Sequence, residues 1–219
     1  MTSEEKTNEN GEFFELEELV DVMVSNIKED IKDFTDLISL DGSLRREVYL
    51  SDINCGTGAV IEGQIRFWNQ QDADKNVPVD EREPIKLYID SGGGSLDDAL
   101  TIVDSIKLSK TPIITINSGK AYSGAFLIFI AGHKRMAYPH ASFLFHEGSV
   151  TGAGGDAAKF RNFTEFYDKQ LEQLKQIILS NTNMTEEYYK EHHKDDIWLT
   201  AEDAKELNAC DEILTEFFV

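Results

Sequence analysis

Three polar side chains stand where a chain of this kind can do chemistry: Ser123 within SGKAYSGAFLIFIAG, His146 after ASFLF, and Asp196 before IWLTAEDA. A serine hydroxyl is a poor nucleophile at neutral pH and needs a base to take its proton. A histidine in that role needs an acid that fixes its tautomer and stabilises the imidazolium. The oxyanion formed on attack needs backbone N–H donors, and Gly94 and Gly124 fall where two helices are expected to begin with unpaired N–H groups. Each residue also has a plainer use. A serine in front of an apolar helix is commonly an N-cap, a histidine at a strand end is commonly structural, and Asp196 with its acidic neighbours fits a solvated face. Residue types alone leave both uses open.

Other chemistries drop out. Lys120 is followed by Ala121, and Ile114 stands where a phosphate loop has its first glycine. AYSGA has alanine at 121 and 125 where the nucleophile elbow of α/β-hydrolases has glycine. Cys55 and Cys210 form no paired spacing, so neither a disulfide framework nor a thiolate zinc site is expected, and a reducing cytoplasm is. The formal net charge of −20 over 219 residues opposes binding to nucleic acid or to an anionic membrane. The longest apolar run, AFLIFIAG, is far short of the ~20 residues that cross a bilayer. The acidic start MTSEEKTNENGE is the opposite of a secretory signal.

The elements that must position these residues follow from periodicity. Residues 1–12 read as a disordered acidic tail. In 13–44, Phe13, Leu16, Val20, Met23, Val24, Ile27, Ile31, Phe34 and Ile38 make one stripe of an amphipathic helix, which fits either this chain's core or a partner. REVYLSDIN reads as a strand, GTGAVIEGQIRFWNQQ as a helix, and IKLYID as a buried strand leading into Gly92, Gly93 and Gly94. A helix is expected from Ser95, with Asp98 completing a capping box and Leu96, Ala99, Leu100, Val103 and Ile106 facing inward. TPIITIN is a strand, ending at Asn117 before the apolar helix. RMAYP and ASFLFHEG are short strands, and a long helix spans about 158–181. A short helix over TEEYYKEHH, the strand DDIWL, a helix capped by Thr200 with Asp203, and the strand DEILTEFFV complete the chain. Alternating strands and helices give an α/β class with largely parallel strands, whose sites lie where strand ends meet helix starts.

YIDSGGGS, SGKAYSGAFLIFIAG, FLFHEG and DIWLTAEDAKELN occur in that order, and together they resemble the proteolytic subunit of the Clp protease. The likeness runs over roughly residues 45–217. It implies the α/β fold shared with crotonases, built of repeated β-β-α units with a protruding handle helix. The chain then divides into the tail 1–12, the helical extension 13–44, and a peptidase domain 45–219 with its handle at approximately 148–181. The implied activity is that of a serine endopeptidase cutting unfolded polypeptides inside an oligomeric chamber. Residue by residue, Ser123 becomes the nucleophile, His146 the general base and Asp196 the orienting acid, with Asp195 one position out of register. Gly94 and Gly124 become the oxyanion donors, and Ser123 serves as helix cap and nucleophile at once. No metal or organic cofactor is implied. The family forms heptameric rings, paired into a tetradecamer through the handles, and any need for ATP belongs to a partner AAA+ unfoldase.

The sequence also departs from the family. Asp90 and Gly92 replace an asparagine and a proline in the glycine loop, Gly124 replaces a larger residue, the turn GHKR is short, and the first forty residues are unlike the usual propeptide and pore loops. These departures suit a divergent or phage-borne member and put docking of the usual ATPase in doubt. The competing readings are a phage head-maturation-type protease acting without an ATPase, a catalytically weak structural ring subunit, and an acyl-CoA enzyme of the crotonase fold. The last gives no reason for Ser123, His146 and Asp196 to occur together.

Overall fold

Strict alternation in IKLYIDS puts Ile85, Leu87 and Ile89 on one side of a strand, and they are fully or almost fully buried in β2 (Ile85–Ser91). The computed structural model describes residues 45–148, 156–192 and 194–217. The expected tail 1–12, the whole of the helical extension 13–44 and the glycine-rich stretch 149–155 lie outside the described residues.

Before β2 come β1 (Glu47–Leu50) and α1 (Thr57–Asp74); after it come α2 (Leu96–Leu108), β3 (Ile113–Tyr122) and α3 (Gly124–Ala131). Then follow β4 (Lys134–Ala137), β5 (Ser142–Phe145), α4 (Ala157–Asn181), α5 (Glu186–His192), β6 (Ile197–Thr200), α6 (Ala201–Glu206) and β7 (Glu212–Ile213). The sheet runs β1-β2-β3-β4-β7, parallel throughout, with β5 parallel to the far end of β3 and β6 antiparallel to β5. This is the α/β class that the alternation implied.

Every residue of α3 is buried, and Phe126, Ile128, Phe129 and Ile130 have no exposed surface. A helix apolar on all sides belongs inside, and each such side chain contributes about 1.5–3 kcal/mol by burial. Phe143 and Phe145 of β5 pack their rings against Phe126. The helix that follows Ser123 is therefore anchored in the main core.

Four expectations change in detail. The strand expected to stop at Asn117 continues through SGKAY to Tyr122, because Lys120, Ala121 and Tyr122 pair with Ser142, Phe143 and Leu144 of β5. The helix start moves accordingly, to Gly124. Ser95 caps α2 through its hydroxyl, but Asp98 does not return to the Ser95 N–H, which donates to the Ile53 carbonyl (2.7 Å) instead. Asp98 accepts from the Ser95 hydroxyl (2.6 Å) and from the Gly56 and Gly58 N–H groups (2.9 Å each), so it ties the starts of α1 and α2 together. On α2, Ile102 is buried where Leu96 and Leu100 are only partly so. The closing strand shrinks to Glu212–Ile213, opposite the short β4. The box at α6 forms as expected, with Thr200 and Asp203 bonding each other's backbone N–H.

At the start of β1, Arg46 donates through both terminal nitrogens to the Asp72 carboxylate of α1 (2.9 and 2.6 Å). The Thr111 hydroxyl donates to the same carboxylate (2.7 Å), and all three residues are buried. The Arg46 hydrogen bond holds the Asp72 carboxyl below its ordinary range against the opposing effect of burial.

Candidate active site

Ser123 has φ 54° and ψ −124°, a backbone shape rarely taken by a residue with a side chain. Three features impose it. Its N–H donates to the Leu144 carbonyl of β5 (2.9 Å), and its carbonyl accepts from Phe126 at the start of α3 (3.0 Å). Gly93 packs so closely that a Cβ there would lie 2.7 Å from the Tyr122 carbonyl and 2.8 Å from the Ser123 Cβ. Ser123 occupies the N-cap position, but its side chain makes no capping bond. The expectation of cap and nucleophile in one residue is corrected on that point: the turn rotates the hydroxyl off the helix and into the cleft.

There Ser123 Oγ lies 2.8 Å from His146 Nε2. His146 sits one residue beyond β5, and Phe145 pairs with Ile197 of β6. In an antiparallel ladder the residues flanking that pair also oppose each other, so Asp196 faces His146. Asp196 Oδ1 is 3.7 Å from His146 Nδ1, an ion-pair distance longer than a hydrogen bond. The Asp196 carboxylate is 58% exposed and the His146 ring 29%. Asp195 donates its backbone N–H to the His192 carbonyl (2.9 Å) and makes no hydrogen bond or ion pair with His146 among the described residues.

Gly94 and Gly124 both line the cleft beside Ser123, and neither N–H has an acceptor among the described residues. Gly94 has φ 147°, and a Cβ there would come within 2.1 Å of the Ile53 carbonyl, so no side chain fits. The buried Ser91 hydroxyl accepts from the Gly93 N–H (3.1 Å) and shapes this loop from below.

The cleft encloses ≈ 650 Å³. Its far wall comes from α4, through Phe163, Tyr167, Gln170 and Leu174. Phe163 and Leu174 are apolar positions of the long helix that the sequence predicts over about 158–181, whereas nothing in that prediction marks Tyr167 or Gln170. The signal for Tyr167 was a phenol placed within an apolar stripe, where its hydroxyl must find a partner. It donates to the Glu147 carbonyl (2.9 Å). Burial and the nearby Glu147 carboxylate push the Tyr167 phenol up from its usual range, so it stays a donor. No helix among the described residues is long and apolar enough to cross a membrane.

A hydroxyl bonded to an imidazole, a carboxylate behind the imidazole and two free N–H groups beside it are the parts of acyl transfer to serine. The family model described as Clp protease matches residues 73–217. The chain is 34% identical over 138 residues to the ATP-dependent Clp protease proteolytic subunit 2 of Corynebacterium efficiens, a match covering 62% of this chain and 69% of that protein. It is 33% identical to the protein of the same description in Corynebacterium glutamicum, over 62% of this chain and 68% of the relative. Against that of Prochlorococcus marinus it is 36% identical over 171 residues, 75% of this chain and 78% of the relative.

Proposed function

Since the chain belongs to the Clp protease family and is a serine-type peptidase, we propose that Ser123, His146 and Asp196 are its catalytic triad. His146 Nε2 takes the Ser123 proton as Oγ attacks the peptide carbonyl, and the imidazolium is stabilised by Asp196. The Gly94 and Gly124 N–H groups receive the oxyanion of the tetrahedral intermediate. His146 then passes its proton to the departing amine, leaving an acyl-enzyme on Ser123. Water, deprotonated by the same imidazole, completes hydrolysis. The observation that carries this reading is the 2.8 Å approach of Ser123 Oγ to His146 Nε2 from a strained backbone that faces the cleft.

Ring assembly and an AAA+ ATPase partner are general features of the family. For this chain the finer reading is a heptamer, or two heptamers stacked as a tetradecamer, that degrades unfolded polypeptides in the cytoplasm. Residues 45–219 are its peptidase domain, approximately 148–181 the handle, and 1–12 and 13–44 an added tail and helical extension.

The test is an active-site serine phosphonate with the adduct located by mass spectrometry. A stoichiometric adduct on Ser123, abolished in His146→Ala, is expected. The 3.7 Å gap to an exposed Asp196 favours one second reading, a catalytically weak ring subunit, and an assembled but unlabelled ring would establish it.

A further inference from the structure

His146 is held between two anchors. Upstream, β5 fixes the chain as far as Phe145, whose ladder partner is Ile197, and the Leu144 carbonyl accepts from Ser123 itself. Downstream, the chain leaves the sheet, and the Glu147–Gly148 peptide is met by α4. There the Tyr167 hydroxyl donates to the Glu147 carbonyl at 2.9 Å. Gly148 follows with φ +88°, and a Cβ built on it would lie 3.6 Å from the same hydroxyl. The phenol therefore sits over the turn by which the chain departs from the base. The Tyr167 ring is itself fixed, stacked on Phe163 with centroids 6.1 Å apart and planes inclined by 13°.

We propose that Tyr167 is a positioning residue: by holding the Glu147 carbonyl it fixes the backbone that aims His146 at Ser123. This rests on the proposed triad. A carbonyl one residue beyond the base acts as a short lever, because only the φ and ψ torsions of Glu147 separate the 147–148 peptide from the planar peptide that carries the His146 Cα. The proton transfer needs Nε2 within hydrogen-bond reach of Oγ, and small displacements there are costly in rate. The neighbouring anchor, Leu144, cannot do this work alone, since it lies on the strand side of His146. Tyr167 touches no reacting atom in this account; it acts through the peptide backbone.

The experiment uses the full-length assembled protein and the variant Tyr167→Phe, which removes the hydroxyl and keeps the stacked ring. Steady-state hydrolysis of a short fluorogenic peptide and the rate of phosphonate labelling are measured per assembled subunit, with size checked by light scattering. Loss of one backbone anchor is expected to lower kcat and the labelling rate together by about tenfold, with KM within about twofold of wild type. Replacing Tyr167 with 4-aminophenylalanine, which restores a donor at the same place, is expected to recover most of that loss. A Tyr167→Phe protein with wild-type kcat and labelling overturns the proposal, as does a loss confined to KM, which would make Tyr167 only a wall of the cleft. A wild-type protein unlabelled at Ser123 overturns the triad itself, whereas equal labelling of wild type and variant overturns the positioning role and leaves the triad standing.

Discussion

The Ser123 backbone costs about 1–3 kcal/mol relative to a relaxed one, and its neighbours hold it there through the Leu144 and Phe126 hydrogen bonds. What that strain achieves is direction, since the hydroxyl leaves the helix and meets His146. Residue types made Ser123, His146 and Asp196 visible in the sequence, but not which way the hydroxyl would turn, because φ at 123 is set by Gly93 and Leu144 from other elements. Ser123→Ala separates the two uses of the residue. A lost N-cap would cost about 1 kcal/mol. Because the side chain makes no capping bond, the melting temperature of Ser123→Ala is expected to stay at the wild-type value, while peptide hydrolysis falls by about four to six orders of magnitude. The acid can be assigned in the same assay. Asp196 stands 3.7 Å from the imidazole, so Asp196→Asn is expected to lower kcat by about two to four orders of magnitude. Asp195→Asn, where the carboxylate makes no ion pair with His146 among the described residues, is expected to leave kcat at the wild-type level, and the reverse order would move the acid to Asp195.

Among the elements, registry between strands does what local sequence cannot announce. The order of strands and helices could be read from alternation and from the three- and four-residue periods, and so could the caps at Ser95 and Thr200. The extension of β3 to Tyr122 could not, because SGKAY has no strand pattern of its own and is held by β5, which comes twenty residues later. Nor could the pairing of Phe145 with Ile197, which brings Asp196 to His146 across fifty residues of intervening chain. The glycine loop shows the same dependence: GGGS was legible as a glycine run between a strand and a helix, but the clash that demands glycine at 93 comes from the Tyr122–Ser123 peptide. Gly93→Ala is accordingly expected to act on catalysis through the turn at Ser123. Its Cβ must displace Tyr122 and Ser123 or push the loop outward, and either changes the placing of Ser123 against Gly94, the proposed oxyanion donor. A loss of at least about a hundredfold in kcat is expected, with far-ultraviolet circular dichroism unchanged. Wild-type turnover in Gly93→Ala would show that the loop can yield without moving the oxyanion donors.

Across the whole molecule, the formal net charge of −20 and the buried Arg46–Asp72 pair pull stability in opposite directions as pH falls. A strongly acidic chain repels itself when folded, so mild acidification from neutrality relieves that repulsion and raises stability. Asp72 does the reverse. Its carboxyl is held below the ordinary value of 3.8, chiefly by the Arg46 hydrogen bond, so the unfolded chain takes up the proton first. The stability it contributes is complete above 3.8 and is lost as pH falls from there through the lower folded value. Denaturant unfolding is thus expected to show a maximum on the acid side of neutrality and a decline below about pH 4. Asp72→Asn leaves the buried Arg46 guanidinium with only the exposed Glu83 carboxylate at 3.8 Å and neutral acceptors on Glu83 and Gln71, which costs at most about 3–5 kcal/mol, and this penalty is expected near pH 7. The gap between variant and wild type should then narrow below the carboxylate range, where wild-type Asp72 is itself neutral. A gap that stays constant from pH 7 to pH 3 would mean that the pair contributes shape and not charge to the junction of β1, α1 and Thr111.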